Sequence, residues 1–176
     1  MTVLPWLSPP GPDAAVDISA ERVSVATLSA KAGRPTLTAL ATEPLPAGAV
    51  TPSMLATNIS NAGVVSAAIE RCFERVGVRP RRVALVLPDL CAKVSLVRFD
   101  AVPPKRSDLD QLIRWQIRKG SPFPIEDAVV TWTPGAVGAD SGQEYLVVSA
   151  RRQVIAEYER ACASVRAHAG LVDLST

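Results

Sequence analysis

Residues 109–125 read LDQLIRWQIRKGSPFPI and combine a helix with an unusual turn built from two prolines around a phenylalanine. The first part predicts an amphipathic helix, because leucine and isoleucine recur every three or four residues. Ser107 is a residue type that caps helices, and Asp108 and Asp110 follow in the first turn, where the helix dipole favours an acid. Residues 120–122, Gly-Ser-Pro, end the helix. The predicted apolar stripe consists of Leu109, Leu112, Ile113 and Ile117.

The chain after this segment predicts three strands and the third helix. The first two strands are joined by a glycine-rich loop. Gly170 is expected to end the helix, and a further strand begins after it. The predicted elements are strands at 128–133 and 144–150, a loop at 134–142, a helix at 153–169 and a strand from 171 to 174.

The chain before this segment predicts five strands and one helix. The helix is bounded by Asn61 as its N-cap and Gly77 just after its end, and its apolar residues recur at helical spacing. Residues 43–52, which contain three prolines, predict a surface loop. The predicted strands are 14–18, 22–30, 36–42, 83–87 and 92–99, the first three forming a β-meander with a turn at 31–35. Val94, Leu96 and Arg98 alternate along the last strand.

Strands and helices together indicate an α/β or α+β fold. The protein has 176 residues, of which 48% are hydrophobic and 20% charged, with a formal net charge of +2. This balance is typical of a globular protein and provides no general electrostatic case for nucleic-acid binding. No stretch of about 18 apolar residues predicts a membrane span, and the start lacks the features of a signal peptide. We therefore expect a cytoplasmic protein.

The cysteine and histidine content argues against a metal centre. Cys72, Cys91 and Cys162 are far apart and show no metal-binding spacing, so we expect free, buried thiols. His168 is the only histidine, which argues against a Ser-His-Asp triad. We expect no metal site and no catalytic residues in this chain.

Four segments resemble the type IV pilus assembly protein PilM family, within the actin-like, FtsA-like superfamily. The most specific is 109–125, where Trp115 is followed by Pro-Phe-Pro at 122–124 in the family's order and spacing. The others are the AVDIS start of the first strand at 15–19, PLPAGAV at 44–50, and the strands RRVALVLP and VSLVRF at 81–88 and 94–99. The resemblance covers about residues 14–176, which correspond to the first half of a family member.

The resemblance implies part of an actin-like (ribonuclease H-like) fold. Residues 14–102 would form a portion of subdomain 1A, and residues 103–170 an inserted αββα subdomain of the 1C type. Residues 1–13 would be an extended proline-rich tail, and residues 171–176 the start of a returning strand. The fold would be incomplete, because the second phosphate loop and adenosine motif of actin-like proteins have no counterpart here.

The family's nucleotide motif is only weakly matched. Asp17 occupies the position of the motif's acid, but Ser19 stands where the family has a glycine that lets the backbone approach a phosphate. Asp17 could act on a nucleotide-bound Mg²⁺ through water, or simply cap a turn. We favour the turn, expect no cofactor and no enzymatic activity, and retain ATP with Mg²⁺ as an alternative for a full-length form.

The resemblance also implies a partner. PilM-like proteins bind the N-terminal peptide of an inner-membrane protein, PilN, in a groove between subdomains, and they contact pilus platform proteins and motor ATPases indirectly. Here the groove is expected between the 83–99 strand pair and the 109–125 segment, as an extended-peptide site. The expected lining residues are Leu87, Arg98, Trp115 and Phe123.

Several alternatives stay open at this point. Trp115 could pack beneath Phe123 in a small core, which we slightly favour, or anchor a partner at the surface. The protein could instead resemble the cytoplasmic part of GspL from type II secretion, which has a similar fold. The expected location is the cytoplasmic side of the inner membrane, reached through partners, and a homo-oligomer is possible.

Overall fold

The computed structural model describes residues 11–12, 14–31, 34–137 and 142–175. Within them the chain forms two compact units. The first unit comprises Met1–Thr51, Ile59–Pro88 and Glu157–Thr176, and the second comprises Pro52–Asn58 and Asp89–Ala156. The predicted tail at 1–13 lies almost wholly outside the described residues.

The first unit is built on a five-stranded sheet. Its strands are β1 (Ala14–Ile18), β2 (Arg22–Lys31), β3 (Arg34–Pro44), β4 (Arg82–Leu87) and β8 (His168–Leu174), in the order β3-β2-β1-β4-β8. The hairpin strands β1, β2 and β3 pair antiparallel, whereas β4 is parallel to both β1 and β8. The predicted meander is confirmed, with β3 extended at both ends.

Helix α1 (Ala62–Val76) packs against β2 and β3. Its predicted boundaries are confirmed, since Asn61 Oδ1 accepts a hydrogen bond from the backbone N–H of Val64 at 3.2 Å and Gly77 adopts a left-handed conformation with φ 72°. The buried face carries Val65, Ala68, Ile69, Cys72 and Phe73, and it meets the buried side chains of Val23 and Val25 on the sheet. Apolar burial at helical spacing therefore holds this layer together.

The second unit is a three-stranded antiparallel sheet with one helix on it. Its strands β5 (Ala92–Phe99), β7 (Gln143–Arg151) and β6 (Ala128–Val137) lie in the order β5-β7-β6. Helix α2 (Arg106–Arg118) covers one face, and helix α3 (Arg152–Ser164) follows β7. The core of this unit contains Val97, Leu109, Ile113, Ile117, Phe123, Ala128, Val130, Tyr145 and Val147.

The unit boundaries differ from the predicted domains. Strand β5 was expected to pair with β4 in the first domain, but it pairs with β7 along its whole length, from Ala92↔Ala150 to Phe99↔Gln143. The second half of α3 belongs to the first unit. Strand pairing depends on residues far apart in the sequence. Because β4 and β5 are neighbours along the chain, the sequence analysis placed them in the same sheet, which is wrong.

Three predicted element ends are also wrong. Helix α3 ends at Ser164 rather than 169, because Arg166 adopts a left-handed backbone with φ 64° and the N–H of Ala167 bonds the carbonyl of Cys162. Gly170 therefore lies inside β8. Strand β6 continues to Val137 by pairing past a register shift, which shortens the predicted loop. Helix α2 has Lys105 at its N-cap, and the hydroxyl of Ser107 bonds Asp108 instead.

The predicted surface loop at 43–52 is partly buried. Strand β3 extends to Pro44, and beyond it Leu45, Ala49 and Val50 are all buried in the first unit. Val50 forms an isolated antiparallel bridge with Ile59. The prolines of residues 43–52 correctly indicated an irregular backbone, but they did not indicate that several of its side chains are buried.

Candidate protein-binding surface

One face of the second unit's sheet exposes large apolar side chains. Val94 is 47% exposed, Leu96 70% and Leu146 41%. Leu96 lies directly opposite Leu146 across β5 and β7, and Val94 lies opposite Val148. We call Val94, Leu96, Leu146 and Val148 the outer sheet face. Side chains alternate along a strand, so these residues point away from the face that α2 covers.

The sequence reasoning missed this surface, although it identified the alternation of Val94, Leu96 and Arg98. Alternation shows which residues share a face of a strand, but not whether that face is buried. The neighbouring residue Val97, out of phase with these three, is the one that packs in the core. Val94, Leu96 and Arg98 therefore lie on one face of β5, as predicted, and that face is exposed.

Arg98 continues the outer sheet face toward one end of β5. Its register partner on β7 is Glu144, so an opposite-charge pair of positions follows the apolar row. The guanidinium lies over the backbone of Gly142, where an added Cβ would come within 2.5 Å of Nε. The glycine therefore leaves room for Arg98 to lie along the sheet.

Strand β5 is an edge of its sheet. Among the strands that the structure describes, β5 pairs only with β7, so one side of its backbone is not in a ladder. An edge strand presents a row of N–H and C=O groups to which an extended peptide can add. The edge and the outer sheet face together offer main-chain bonding and apolar contact at the same place.

The opposite face of this sheet is filled by a core. Phe123 is only 6% exposed, and its carbonyl accepts a 2.6 Å hydrogen bond from the hydroxyl of Ser121, which folds the Pro-Phe-Pro turn inward. Val97 on β5 and Ile113 on α2 belong to the same core. Side chains therefore fill the space between β5 and α2, and the groove expected between the 83–99 strand pair and the 109–125 segment stays a prediction.

Trp115 lies on the exposed side of α2, with 66% of the residue accessible. The slightly favoured interpretation, packing beneath Phe123, is wrong, because the helix turns Ile113 and Ile117 inward and leaves Trp115 on the other side. Trp115 stands beside Gln116, Arg118 and Lys119 at the end of the helix.

The four predicted lining residues do not form one surface. Leu87 is 1% exposed in β4 of the first unit, and Phe123 is buried in the second. Arg98 belongs to the outer sheet face, whereas Trp115 projects from the helix on the sheet's other side. Their roles in peptide binding stay predictions, and only Arg98 and Trp115 are exposed to a partner.

A polar network that sequence reasoning did not identify joins α2 to β6. Asp110 accepts hydrogen bonds from Arg114 Nε at 2.8 Å and from the indole Nε1 of Trp132 at 3.3 Å. The guanidinium of Arg106 lies 4.7 Å from the centre of the Trp132 ring, and Tyr145 meets that ring edge-on. The bond from Arg114, with that from Trp132, lowers the pKa of Asp110. The charge of Asp110 is therefore stabilised in the folded protein.

The residues at the predicted nucleotide position form a closed turn between β1 and β2. Both the backbone N–H and the hydroxyl of Ser19 donate to the carbonyl of Arg22, at 2.9 and 3.1 Å, and Ser19 Oγ accepts from the N–H of Arg22 at 3.3 Å. Burial raises the pKa of Asp17, with Arg22 opposing the rise. The N–H and the hydroxyl of Ser19 are therefore both engaged within the turn.

The topology of the first unit identifies the class of fold. A three-stranded antiparallel hairpin array extended by two parallel strands, with a second unit inserted between β4 and β8, is an actin-like arrangement, as the sequence predicted. In the described part of the chain, no helix is long and apolar enough to cross a bilayer.

The model of the family described as type IV pilus assembly protein PilM matches residues 15–176, and the chain belongs to that family. A solved PilM-PilN type IV pilus biogenesis complex is similar with a TM-score of 0.79 and 21% identity, over 94% of this chain and 48% of that one. The cytoplasmic domain of EpsL, an inner membrane component of the type II secretion system of Vibrio cholerae, is similar with a TM-score of 0.55 and 13% identity, over 92% and 56%. The chain thus spans about half the length of these structures. No curated protein matches the sequence.

Proposed function

We propose that this chain is a scaffold component of type IV pilus assembly that binds the N-terminal peptide of a PilN-like inner-membrane protein. Membership of the PilM family and similarity to a structure solved as a PilM-PilN complex support the proposal. The chain would act at the cytoplasmic side of the inner membrane by binding, without catalysis. Platform proteins and motor ATPases would be reached through the same assembly.

The outer sheet face and the edge of β5 are the contact surface that we propose for the peptide. The carrying observation is an exposed apolar face beside a strand edge that no other described strand pairs with: Leu96 is 70% exposed and Leu146 lies directly opposite it. An extended peptide would add a strand beside β5 and place alternate side chains over this face. Arg98 at the end of the face would contact a carbonyl or carboxylate of the peptide.

The type II secretion alternative is the weaker one. The EpsL domain shares the fold at 13% identity, which supports common architecture and no particular partner. The family match favours the pilus machine.

The test is binding of a fluorescent peptide that carries the N-terminus of the PilN homologue encoded in the same genome. Leu96→Ser should weaken binding about tenfold, because losing roughly 1.4 kcal/mol of apolar contact changes an equilibrium constant by that factor. Leu171→Ser is the matched control, since Leu171 is an exposed leucine of the first unit, 52% accessible. Equal affinities for the wild type and Leu96→Ser would reject the proposed surface.

A further inference from the structure

Strand β3 pairs only with β2 among the strands described, so it forms a second strand edge, in the first unit. It is an outer strand of the five-stranded sheet, and residues 36–42, TLTALAT, contain no charge, glycine or proline. Edge strands usually carry charges or prolines that prevent pairing with another chain. A charge-free stretch rich in threonine and leucine lacks that protection.

Three leucines beside this edge are exposed on one face. Leu28 is 40% accessible, Leu37 55% and Leu40 62%, and we call these residues the leucine patch. Leu40 is the register partner of Ala26, and Leu37 that of Leu28. Ala26 and Leu28 are two residues apart on β2 and share a face, so all three leucines share it as well. This face is opposite the one that α1 covers, where Val25 pairs with the buried Ala41.

An extra residue in β3 makes this arrangement possible. The register shifts between Thr27, which pairs with Ala39, and Leu28, which pairs with Leu37, so that Thr38 has no register partner on β2. The hydroxyl of Thr38 instead donates to the carbonyl of Thr27 at 3.0 Å. Leu37 and Leu40 therefore face the same way although they are three positions apart along the strand.

We propose that β3 pairs antiparallel with β3 of a second copy of this chain, around a twofold axis that passes between Thr38 and Ala39. In this register Leu37 of each copy lies opposite Leu40 of the other, and both side chains point to the same face, as cross-strand neighbours must. Thr36 lies opposite Ala41. The two leucine patches become continuous and bury six leucines across a ten-stranded sheet.

A second copy of the chain fits this edge because both partners present the same uncharged strand with exposed leucines. Residues 36–42 carry no charge, so the twofold brings no like charges together in the paired stretch. The pairing ends at Ala41, because the guanidinium of Arg75 already bonds the carbonyl of Thr42 at 2.9 Å. Six paired residues and a small apolar patch predict a weak dimer that forms and dissociates with concentration.

Analytical ultracentrifugation of the chain over a concentration series tests the proposal. The wild type should shift from monomer to dimer as concentration rises. Leu40→Glu should raise the dimer dissociation constant at least tenfold. Leu171→Glu is the control, because it places the same charge on an exposed leucine at the other edge of the same sheet, and it should leave the dimer unchanged.

A charge-pair variant tests the register. The double variant Leu37→Lys with Leu40→Glu places Lys opposite Glu twice across the twofold and should restore the dimer that either single variant loses. A wild type that stays monomeric at every concentration overturns the proposal. A dimer whose dissociation constant is unchanged by Leu40→Glu also overturns the proposal. A double variant that stays monomeric overturns the proposed register. Peptide binding at the outer sheet face is expected to be unchanged in all these variants, so the two proposals fail separately.

Discussion

The indole nitrogen of Trp132 donates a hydrogen bond to Oδ1 of Asp110, at 3.3 Å, and so connects strand β6 to helix α2. Arg114, one turn after Asp110, donates to the other carboxylate oxygen. Asp110 thus adds a polar connection to the apolar core through which the helix packs on the sheet.

Asp110→Asn should lower the free energy of unfolding by about 1 kcal/mol at neutral pH, a modest figure because solvent screens this partly exposed carboxylate. The folded pKa of Asp110 lies below its unfolded value of about 3.9, so its contribution is present above that pH and is lost as the pH falls through the folded pKa. Urea unfolding at neutral and acidic pH measures this. Asp108→Asn, on the same helical turn, is the control, and an equal loss in both variants at neutral pH would contradict the assignment.

Asn58→Ala should destabilise the second unit by about 3 kcal/mol, because it removes three hydrogen bonds made by a buried side chain, each worth about 1 kcal/mol. Asn58 is 1% exposed; its side-chain amide donates to the carbonyls of Ser53 and Ala56, both at 2.8 Å, and its oxygen accepts from the N–H of Ser53. Thermal unfolding followed by circular dichroism checks this. Asn58→Asp should destabilise the unit at least as much at neutral pH, because it places a buried carboxylate oxygen against the carbonyls of Ser53 and Ala56.

The three cysteines should react with iodoacetamide only after unfolding. All three are buried, and burial raises the pKa of the Cys162 thiol to about 12, with Glu159 adding to the rise. A thiol with so high a pKa is almost entirely protonated at about pH 8 and is a poor nucleophile. Mass spectrometry after alkylation, with and without urea, measures the labelling. Rapid modification of the native protein would contradict this picture.

Trp115→Ala distinguishes the sequence-derived peptide site from the structural one. The sequence hypothesis predicts weaker binding of the PilN-like peptide, whereas the outer sheet face predicts unchanged affinity, because Trp115 lies on the helix that covers the opposite face. Stability should change by less than about 0.5 kcal/mol, since the side chain is mostly exposed. Peptide titration on this variant and on Leu96→Ser gives the comparison. A loss of affinity in Trp115→Ala alone would favour the sequence-derived site.

ATP with Mg²⁺ should leave the melting temperature of this chain unchanged. The N–H and the hydroxyl of Ser19 both donate within the β1–β2 turn, so neither is directed at a phosphate. A nucleotide bound at a hundred times its dissociation constant would add about 2.7 kcal/mol of stability. A thermal shift assay therefore detects binding readily, and a rise of several degrees would revive the nucleotide-binding alternative.

The sequence by itself determined the features that depend on a few neighbouring residues. The limits of α1 could be predicted because Asn61 and Gly77 act on backbone groups within four residues of themselves. The apolar run of β4 indicated a central strand of a sheet, and the Trp115 to Pro124 motif indicated the family. Each of these signals is local, so no knowledge of the remaining chain was needed.

Only the tertiary structure decided which surfaces are available to a partner. The sequence showed that side chains alternate between the two faces of β5, but not which face is buried. Val97 is on the buried face and Leu96 on the exposed one, because α2 covers just one side of the sheet. The sheet that β5 joins depends on β7, some fifty residues along the chain. The exposure of Trp115 follows from the same packing. Periodicity relates residues within one element, whereas burial depends on which distant element packs against it.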